Sequence, residues 1–218
     1  MSKLYVIGTA HYEDGVCTSE KLYEIIEEIS PEVVFCETSK EKLPEFIKRT
    51  DVSTPEMNVI KRLIKDKPII DIVPIDEIED PFDRRLEDMH SLFKRVMKEY
   101  KAASSIITNE TFLKGFAFLN SSDFDRISRD QNLMEEYILD RLNNKELSDF
   151  HAEWLKWNDL LENQWISLIH DYFKINKPKK AVFLVGAGHR YRLIDKIKNI
   201  VDSNKPFLDC FFFLSNKT

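Results

Sequence analysis

Two copies of one short pattern place a histidine just after an apolar run, one copy near each end of the chain. Gly8-Thr9-Ala10-His11 follows the first run, and Gly186-Ala187-Gly188-His189 follows a late one. Glycine permits a sharp turn and a close approach of other groups. A neutral imidazole binds divalent cations or acts as a base near neutral pH. The repeated pattern therefore predicts one site that uses both histidines.

Two carboxylates end other apolar runs. Glu37 follows Glu32–Cys36, and Asp76 follows Ile69–Ile75. Because ligands bind beyond the carboxyl ends of parallel strands, we expect both carboxylates at the same sheet edge as the histidines. Taken singly, each histidine and each carboxylate has a simpler structural interpretation. A histidine at a strand end is commonly a hydrogen-bonded structural residue, Glu37 suits a surface charge, and Asp76 suits the start of a turn.

Strand signals at both termini enclose a helical middle. The predicted strands are Lys3–Ile7, Glu32–Cys36, Ile69–Ile75, Lys179–Val185 and Phe207–Leu214. Apolar residues at helical spacing predict helices that begin near Ser19, Pro55 and Tyr191. Longer helices are predicted over Phe82–Ile107, Asp123–Asn143 and Leu147–Phe173. This order predicts one α/β domain over 1–218. Its central sheet, mainly parallel or mixed, comes from 1–80 and 178–218, with a large α-helical insertion over about 81–177.

The composition excludes several classes of partner. The 218 residues carry a net charge of −6, which gives no reason to expect nucleic acid. No apolar stretch approaches the roughly 20 residues of a membrane span, so no membrane partner is expected. The 3 cysteines lack C-x-x-C spacing, which argues against a disulfide framework and favours a cytoplasmic protein. We expect a small-molecule or peptide substrate, and a homodimer stays open.

Three patches of the chain together form a recognisable pattern. The first consists of Tyr5-Val6-Ile7-Gly8-Thr9-Ala10-His11 and, after a helix, Pro31-Glu32-Val33-Val34-Phe35-Cys36-Glu37. The second is Ala181-Val182-Phe183-Leu184-Val185-Gly186-Ala187-Gly188-His189. The third is the helical Arg129-Asp130-Gln131-Asn132-Leu133-Met134. These patches resemble the TraB/GumN/Tiki family, which is related to the erythromycin-esterase/ChaN-like superfamily.

The resemblance implies a metal-dependent hydrolase, peptidase-like or esterase-like, with manganese or cobalt as the cation. It implies that His11 and His189 are metal ligands, and that Glu37 is either a third metal ligand or a general base. It also implies that Arg129, supported by Asp130, meets negative charge in the transition state. Asp76 is a second candidate base. Unlike Tiki proteins, the chain shows no signal-peptide pattern and no membrane anchor, which leaves the substrate open.

Other interpretations of the same residues stay open. A metal-independent esterase would use histidine and Glu37 directly, and Arg126 with Asp130 suits a plain surface ion pair on a helix. A third possibility is a non-catalytic haem-binding, small-ligand-binding or regulatory module.

Helical spacing of Trp154, Trp157, Leu161 and Trp165 predicts a packing stripe, a pocket wall or a dimer face. We interpret His90, His151 and His170 as surface or packing residues, and Cys36 as a core residue.

Overall fold

One parallel sheet organises the chain. The computed structural model describes residues 2–49, 54–78, 81–82, 84–202 and 209–212. Within them lie β1 (Lys3–Thr9), β2 (Val33–Cys36), β3 (Asp71–Pro74), β4 (Lys180–Gly186) and β5 (Asp209–Phe212), in the order β3-β2-β4-β1-β5. All the pairings between these strands are parallel. The predicted α/β fold is thus confirmed, and the predicted last strand Phe207–Leu214 extends partly outside the described residues.

Helices cover the sheet and fill the middle of the chain. They are α1 (Ser19–Ile29), α2 (Leu43–Lys48), α3 (Pro55–Asp66), α4 (Arg84–Val96), α5 (Lys98–Lys114), α6 (Phe116–Leu119), α7 (Ser122–Leu142), α8 (Lys145–Asn176) and α9 (Arg190–Asp202). Thr18 caps α1 by accepting the N–H of Lys21, so Ser19 is the first residue of the helix. The predicted continuous helix Phe82–Ile107 is divided at Met97, whose backbone is extended. No glycine or proline marks this break, so the sequence pattern did not reveal it.

Alternate strand residues enter two apolar layers. Ile7, Val34 and Leu184 pack with α1 and α3 on one face. Val6 and Phe35 lie on the other face, packed with α8. Burial of such a side chain contributes about 1.5–3 kcal/mol. The alternation includes the last residue of β2, so that Cys36 enters the α3 side of the sheet.

Helix α8 connects the sheet to the rest of the helical segment. The C-terminal half of α8 presents Trp165, Ile169 and Phe173 to the sheet, where they are buried. We call α4 to α7, together with the N-terminal half of α8, the helical cap. The expected insertion over 81–177 is therefore not wholly separate from the core, because its last part forms one of the two layers that cover the sheet.

The side chain of Asn120 completes the hydrogen bonding of β1. Pairing of β1 with β5 reaches Val6. Two residues later, the N–H of Gly8 donates to Asn120 Oδ1 at 2.7 Å, and Asn120 Nδ2 donates to the carbonyl of Gly8 at 2.9 Å. Asn120 is fully buried. Its amide thus takes the place of a further strand residue and holds the turn that leads to His11.

We expect Asn120→Ala to lower the free energy of unfolding by about 2–4 kcal/mol, because two buried backbone groups of Gly8 lose their partners. Urea unfolding followed by circular dichroism measures this loss. Asn176→Ala is the matched control, since this amide is exposed at the end of α8. Equal stability of the two variants would show that the bridge to Gly8 contributes little.

Candidate active site

The ends of four strands open onto one cavity. In the parallel register Thr9 of β1 pairs with Gly186 of β4. Cys36 of β2 pairs with Pro74 of β3 and with Leu184. The chain leaves the sheet on the same edge from each strand. Four side chains of this edge, His11, Glu37, Asp76 and His189, line a single cavity of about 670 Å³. We call it the central cavity.

Gly186 lets His11 and Glu37 approach each other. A Cβ atom on Gly186 would lie 3.4 Å from His11 Nε2 and 3.5 Å from Glu37 Oε2. The N–H of Gly186 donates to Glu37 Oε2 at 2.8 Å. The missing side chain therefore leaves space for both groups, and the backbone fixes the carboxyl. Gly188 has open space around it, so close packing does not explain that glycine.

The carboxyl of Glu37 is disposed to hold a proton. Burial raises its pKa to about 8, against the lowering effect of the Gly186 N–H. The negative charges of Glu56, Asp76 and Glu162 raise this pKa further. At neutral pH Glu37 therefore carries a proton, unless a cation enters the cavity and stabilises its charged form.

His189 is held by a buried carboxylate on α8. Its Nδ1 lies 2.8 Å from Oε1 of Glu162, a side chain that is fully buried. Oε1 also accepts Arg192 Nε at 2.7 Å, and Lys196 Nζ lies 3.1 Å from Oε2. A carboxylate only accepts hydrogen bonds, so Nδ1 carries the proton and Nε2 is left for a ligand or for proton transfer. The ring of Trp165 packs edge-on against the imidazole, with the centroids 5.0 Å apart.

Opposing effects set the charges of this pair. Burial raises the pKa of Glu162, but the hydrogen bond from His189 and the positive charge of Arg192 outweigh it, and the pKa is lowered overall. Burial lowers the pKa of His189, more than Glu162 raises it, and the charges of Arg192 and His11 lower it further. His189 is therefore a neutral imidazole at neutral pH, beside an ionised Glu162.

His11 has a weaker version of the same arrangement. Its Nδ1 lies 3.6 Å from Glu56 Oε1, and its side chain is 73% exposed. Thr9 is buried, and its hydroxyl donates to the same oxygen of Glu56 at 2.6 Å. Both histidines thus turn Nδ1 towards a carboxylate and leave Nε2 available. Such outer carboxylates commonly orient histidines that bind metals or transfer protons.

The structure corrects one part of the predicted site. Arg129 does not line the central cavity; it is half-exposed and pairs with Asp195 at 2.8 Å. Asp130 is likewise paired with Arg126 on the surface of α7, at 3.7 Å. The reason is helical phase. Ser128, Gln131, Asn132 and Glu135 line the cavity at helical spacing, and Arg129 lies about 100° of rotation from Ser128.

The remaining predicted residues have mixed outcomes. Asp76 lines the cavity, and its N–H donates to the carbonyl of Thr38. Cys36 is a buried core residue, and burial raises the pKa of its thiol to about 12. His151 is buried and packs against Trp154, which agrees with one of the two expected roles, while His90 is partly exposed and lines the cavity. The apolar stripe of α8 is a pocket wall as well as a packing face, because Trp154, Trp157, Leu161 and Trp165 all line the cavity.

Sequence reasoning missed the groups that orient the histidines. The strand-end patterns do not indicate Glu162 or Glu56 as site residues, although Glu162 interrupts the buried apolar stripe of α8 between Leu161 and Trp165. A charged residue inside an apolar helical stripe is the signal that points to a buried polar partner. Arg192, three residues after His189, brings a guanidinium to the cavity in place of Arg129.

The donor atoms at this edge suit a divalent cation. Two imidazole Nε2 atoms and the carboxyl of Glu37 are the kinds of ligand that zinc, manganese and cobalt accept. In the part of the chain that the structure describes, however, no three His, Cys, Asp or Glu side chains are grouped closely enough to hold a metal ion. The ligand types therefore fit, while a closed coordination set is not formed by these side-chain positions.

Comparison of the chain with protein-family models, with curated proteins and with solved structures found no match. Among the described residues, no helix has both the length and the apolar character needed to cross a membrane. The fold and the cavity therefore define an α/β protein with a polar site at the carboxyl ends of its parallel strands.

Proposed function

We propose that the chain is a hydrolase that cleaves an ester or amide bond of a small molecule or peptide in the central cavity. The observation that carries the proposal is that His189, held by Glu162, lines the same cavity as Glu37. The pKa of Glu37 is raised and the pKa of His189 is lowered from their ordinary values. Such a pair provides a base and an acid at the same pH. The resemblance to the TraB/GumN/Tiki family supports the same class of reaction.

In the protein without a bound cation, the proposed reaction uses Glu37 and His189 in turn. Neutral His189, with Nδ1–H held by Glu162, accepts a proton from water at Nε2 as the water attacks the carbonyl carbon. The positive charge formed on the imidazole is stabilised by the ionised Glu162. Protonated Glu37 donates its proton to the leaving oxygen or nitrogen as the tetrahedral intermediate collapses. Arg192 lines the cavity, and its guanidinium group would stabilise the developing oxyanion.

A divalent cation, manganese or cobalt, is part of the proposal. His11, Glu37 and His189 would hold it, with Glu56 and Glu162 behind the two imidazoles. Glu37 would then be ionised and Nε2 of His189 would be a ligand, so that Asp76, which lines the same cavity, would be the candidate base. When bound, the cation would polarise the carbonyl and lower the pKa of water. A metal-independent esterase is the second candidate. It is favoured by the absence of a grouped metal-ligand set among the described residues and by the protonated state of Glu37.

Hydrolysis of p-nitrophenyl butyrate and of an aminoacyl p-nitroanilide tests the site. In the double variant His11→Ala/His189→Ala, we expect at least a hundredfold lower kcat/KM than in the wild-type protein, because both imidazoles are lost. Unchanged activity of the double variant would reject the site.

Removal of metal by EDTA, with ICP-MS of the protein and addition of Mn²⁺ or Co²⁺, distinguishes the metal-dependent hydrolase from the metal-independent esterase. Loss and recovery of activity supports the cation, and insensitivity supports the metal-independent esterase.

A further inference from the structure

A second polar cluster lies in the helical cap, on the wall of the same cavity. Its centre is Glu135 of α7, a side chain only 3% exposed. Glu135, His90 of α4 and Tyr100 of α5 all line the central cavity. The chemistry proposed above uses none of these residues. A buried carboxylate needs a compensating partner, because an isolated charge is strongly disfavoured away from water.

The contacts of Glu135 come from groups that donate hydrogen bonds. The hydroxyl of Tyr100 donates to Oε1 at 2.7 Å, and His151 Nε2 lies 3.0 Å from Oε2. His90 Nε2 is 3.7 Å from Oε1, but burial lowers the pKa of this imidazole and leaves it neutral at neutral pH. Lys94 also lines the cavity, although its side chain is exposed.

An aromatic ring packs against the two histidines that lie beside this carboxylate. The ring centroid of Trp154 lies 5.6 Å from that of His90 and 5.7 Å from that of His151. Trp157 and Tyr100 add further aromatic surface to the same cavity wall. Aromatic faces attract cations, and a carboxylate forms charge-assisted hydrogen bonds with an ammonium group. The combination is the chemistry that recognises an organic amine in its protonated form.

We propose that the cap end of the central cavity, formed by Glu135 with Tyr100, Trp154 and Trp157, binds the primary ammonium group of the substrate. The inference rests on the proposed function, which it narrows to esters or amides of amine-bearing compounds, such as a peptide with a free N-terminus. The substrate's ammonium group lies against the cap, and its scissile bond lies at the sheet edge beside Glu37 and His189.

Intrinsic fluorescence tests this inference without any turnover. The chain has 3 tryptophans, and all of them line the central cavity. Titration with n-pentylammonium should change the fluorescence at concentrations at least tenfold lower than titration with 1-pentanol, its neutral analogue, since a charge-assisted contact is lost in the alcohol. Equal binding of the two compounds by the wild-type protein overturns the proposal.

Variants locate the binding to Glu135. Glu135→Gln should weaken pentylammonium binding at least tenfold, while Glu136→Gln, the same change at the adjacent exposed position of α7, should leave it unaltered. Tyr100→Phe removes a hydrogen bond to Glu135 but keeps the charge, and should bind within about threefold of the wild-type protein. Equal affinities of the Glu135→Gln and Glu136→Gln proteins contradict the proposal. Because binding is measured without hydrolysis, an inactive protein that still prefers pentylammonium refutes only the proposed function.

Discussion

Replacing His189 with alanine is expected to lower kcat/KM for ester or amide hydrolysis about a thousandfold, within the 10²–10⁴-fold range of a general base. The physical reason is that Glu162 holds Nδ1–H, at 2.8 Å, and leaves Nε2 as the proton acceptor. Steady-state kinetics with p-nitrophenyl butyrate measures the effect. His170→Ala is the matched control, because His170 lies in α8 and does not line the cavity.

The pH profile of the wild-type protein provides a second measurement of the same prediction. Burial lowers the pKa of His189 from the usual histidine value of 6.5, so activity should fall on the acid side only below that value. Burial raises the pKa of Glu37 to about 8, so activity should fall again as the pH rises above about 8. A His189→Ala protein that keeps its activity within about threefold would remove His189 from the chemistry.

Glu37→Gln is expected to make the metal-free protein more stable, although it removes a group of the site. With a pKa of about 8 in the folded protein and 4.5 in a free side chain, Glu37 keeps its proton on folding between these pH values. The unfolded chain binds fewer protons there, so wild-type stability falls as the pH rises from about 4.5 to about 8. Glutamine cannot ionise, and the variant should gain roughly 2–4 kcal/mol over wild type at pH 8, with little gain at pH 4.5.

Urea unfolding at pH 4.5, 6.5 and 8 in the presence of EDTA measures this widening difference. Glu41→Gln is the control, because Glu41 is exposed and the change in charge is the same. Parallel stability curves for wild type and Glu37→Gln would show that Glu37 ionises normally in the folded protein. Addition of Mn²⁺ extends the test, since a cation bound at Glu37 stabilises the wild-type protein more than the variant.

The expected gain in stability reflects how the site is built. Burial opposes ionisation of Glu37, and the negative charges of Glu56 and Asp76 at the edge of the sheet add to this effect. Such a group costs folding free energy, which apolar packing elsewhere offsets. The two layers that cover the sheet supply this packing, with Phe35 and Phe183 on the α8 side. Side chains with such perturbed pKa values are common at sites that are arranged for chemistry rather than for stability.

Much of the fold and the sheet-edge part of the site could be predicted from the sequence. Apolar runs that end in glycine or a polar residue locate the carboxyl ends of strands, and parallel pairing brings those ends to one edge. His11, Glu37, Asp76 and His189 line one cavity for this reason. The phase of β2 also placed Cys36 in the core, because side chains alternate along a strand.

Only the tertiary structure decided which helical side chains meet that edge. Each residue turns a helix by about 100°, so a small uncertainty in how a helix packs changes the residue that faces a cavity. Arg129 therefore lies outside the cavity, while Glu135 of the same helix lines it. Glu162 reaches His189 only because the second half of α8 packs on the sheet, a contact between distant parts of the chain that local sequence patterns do not encode.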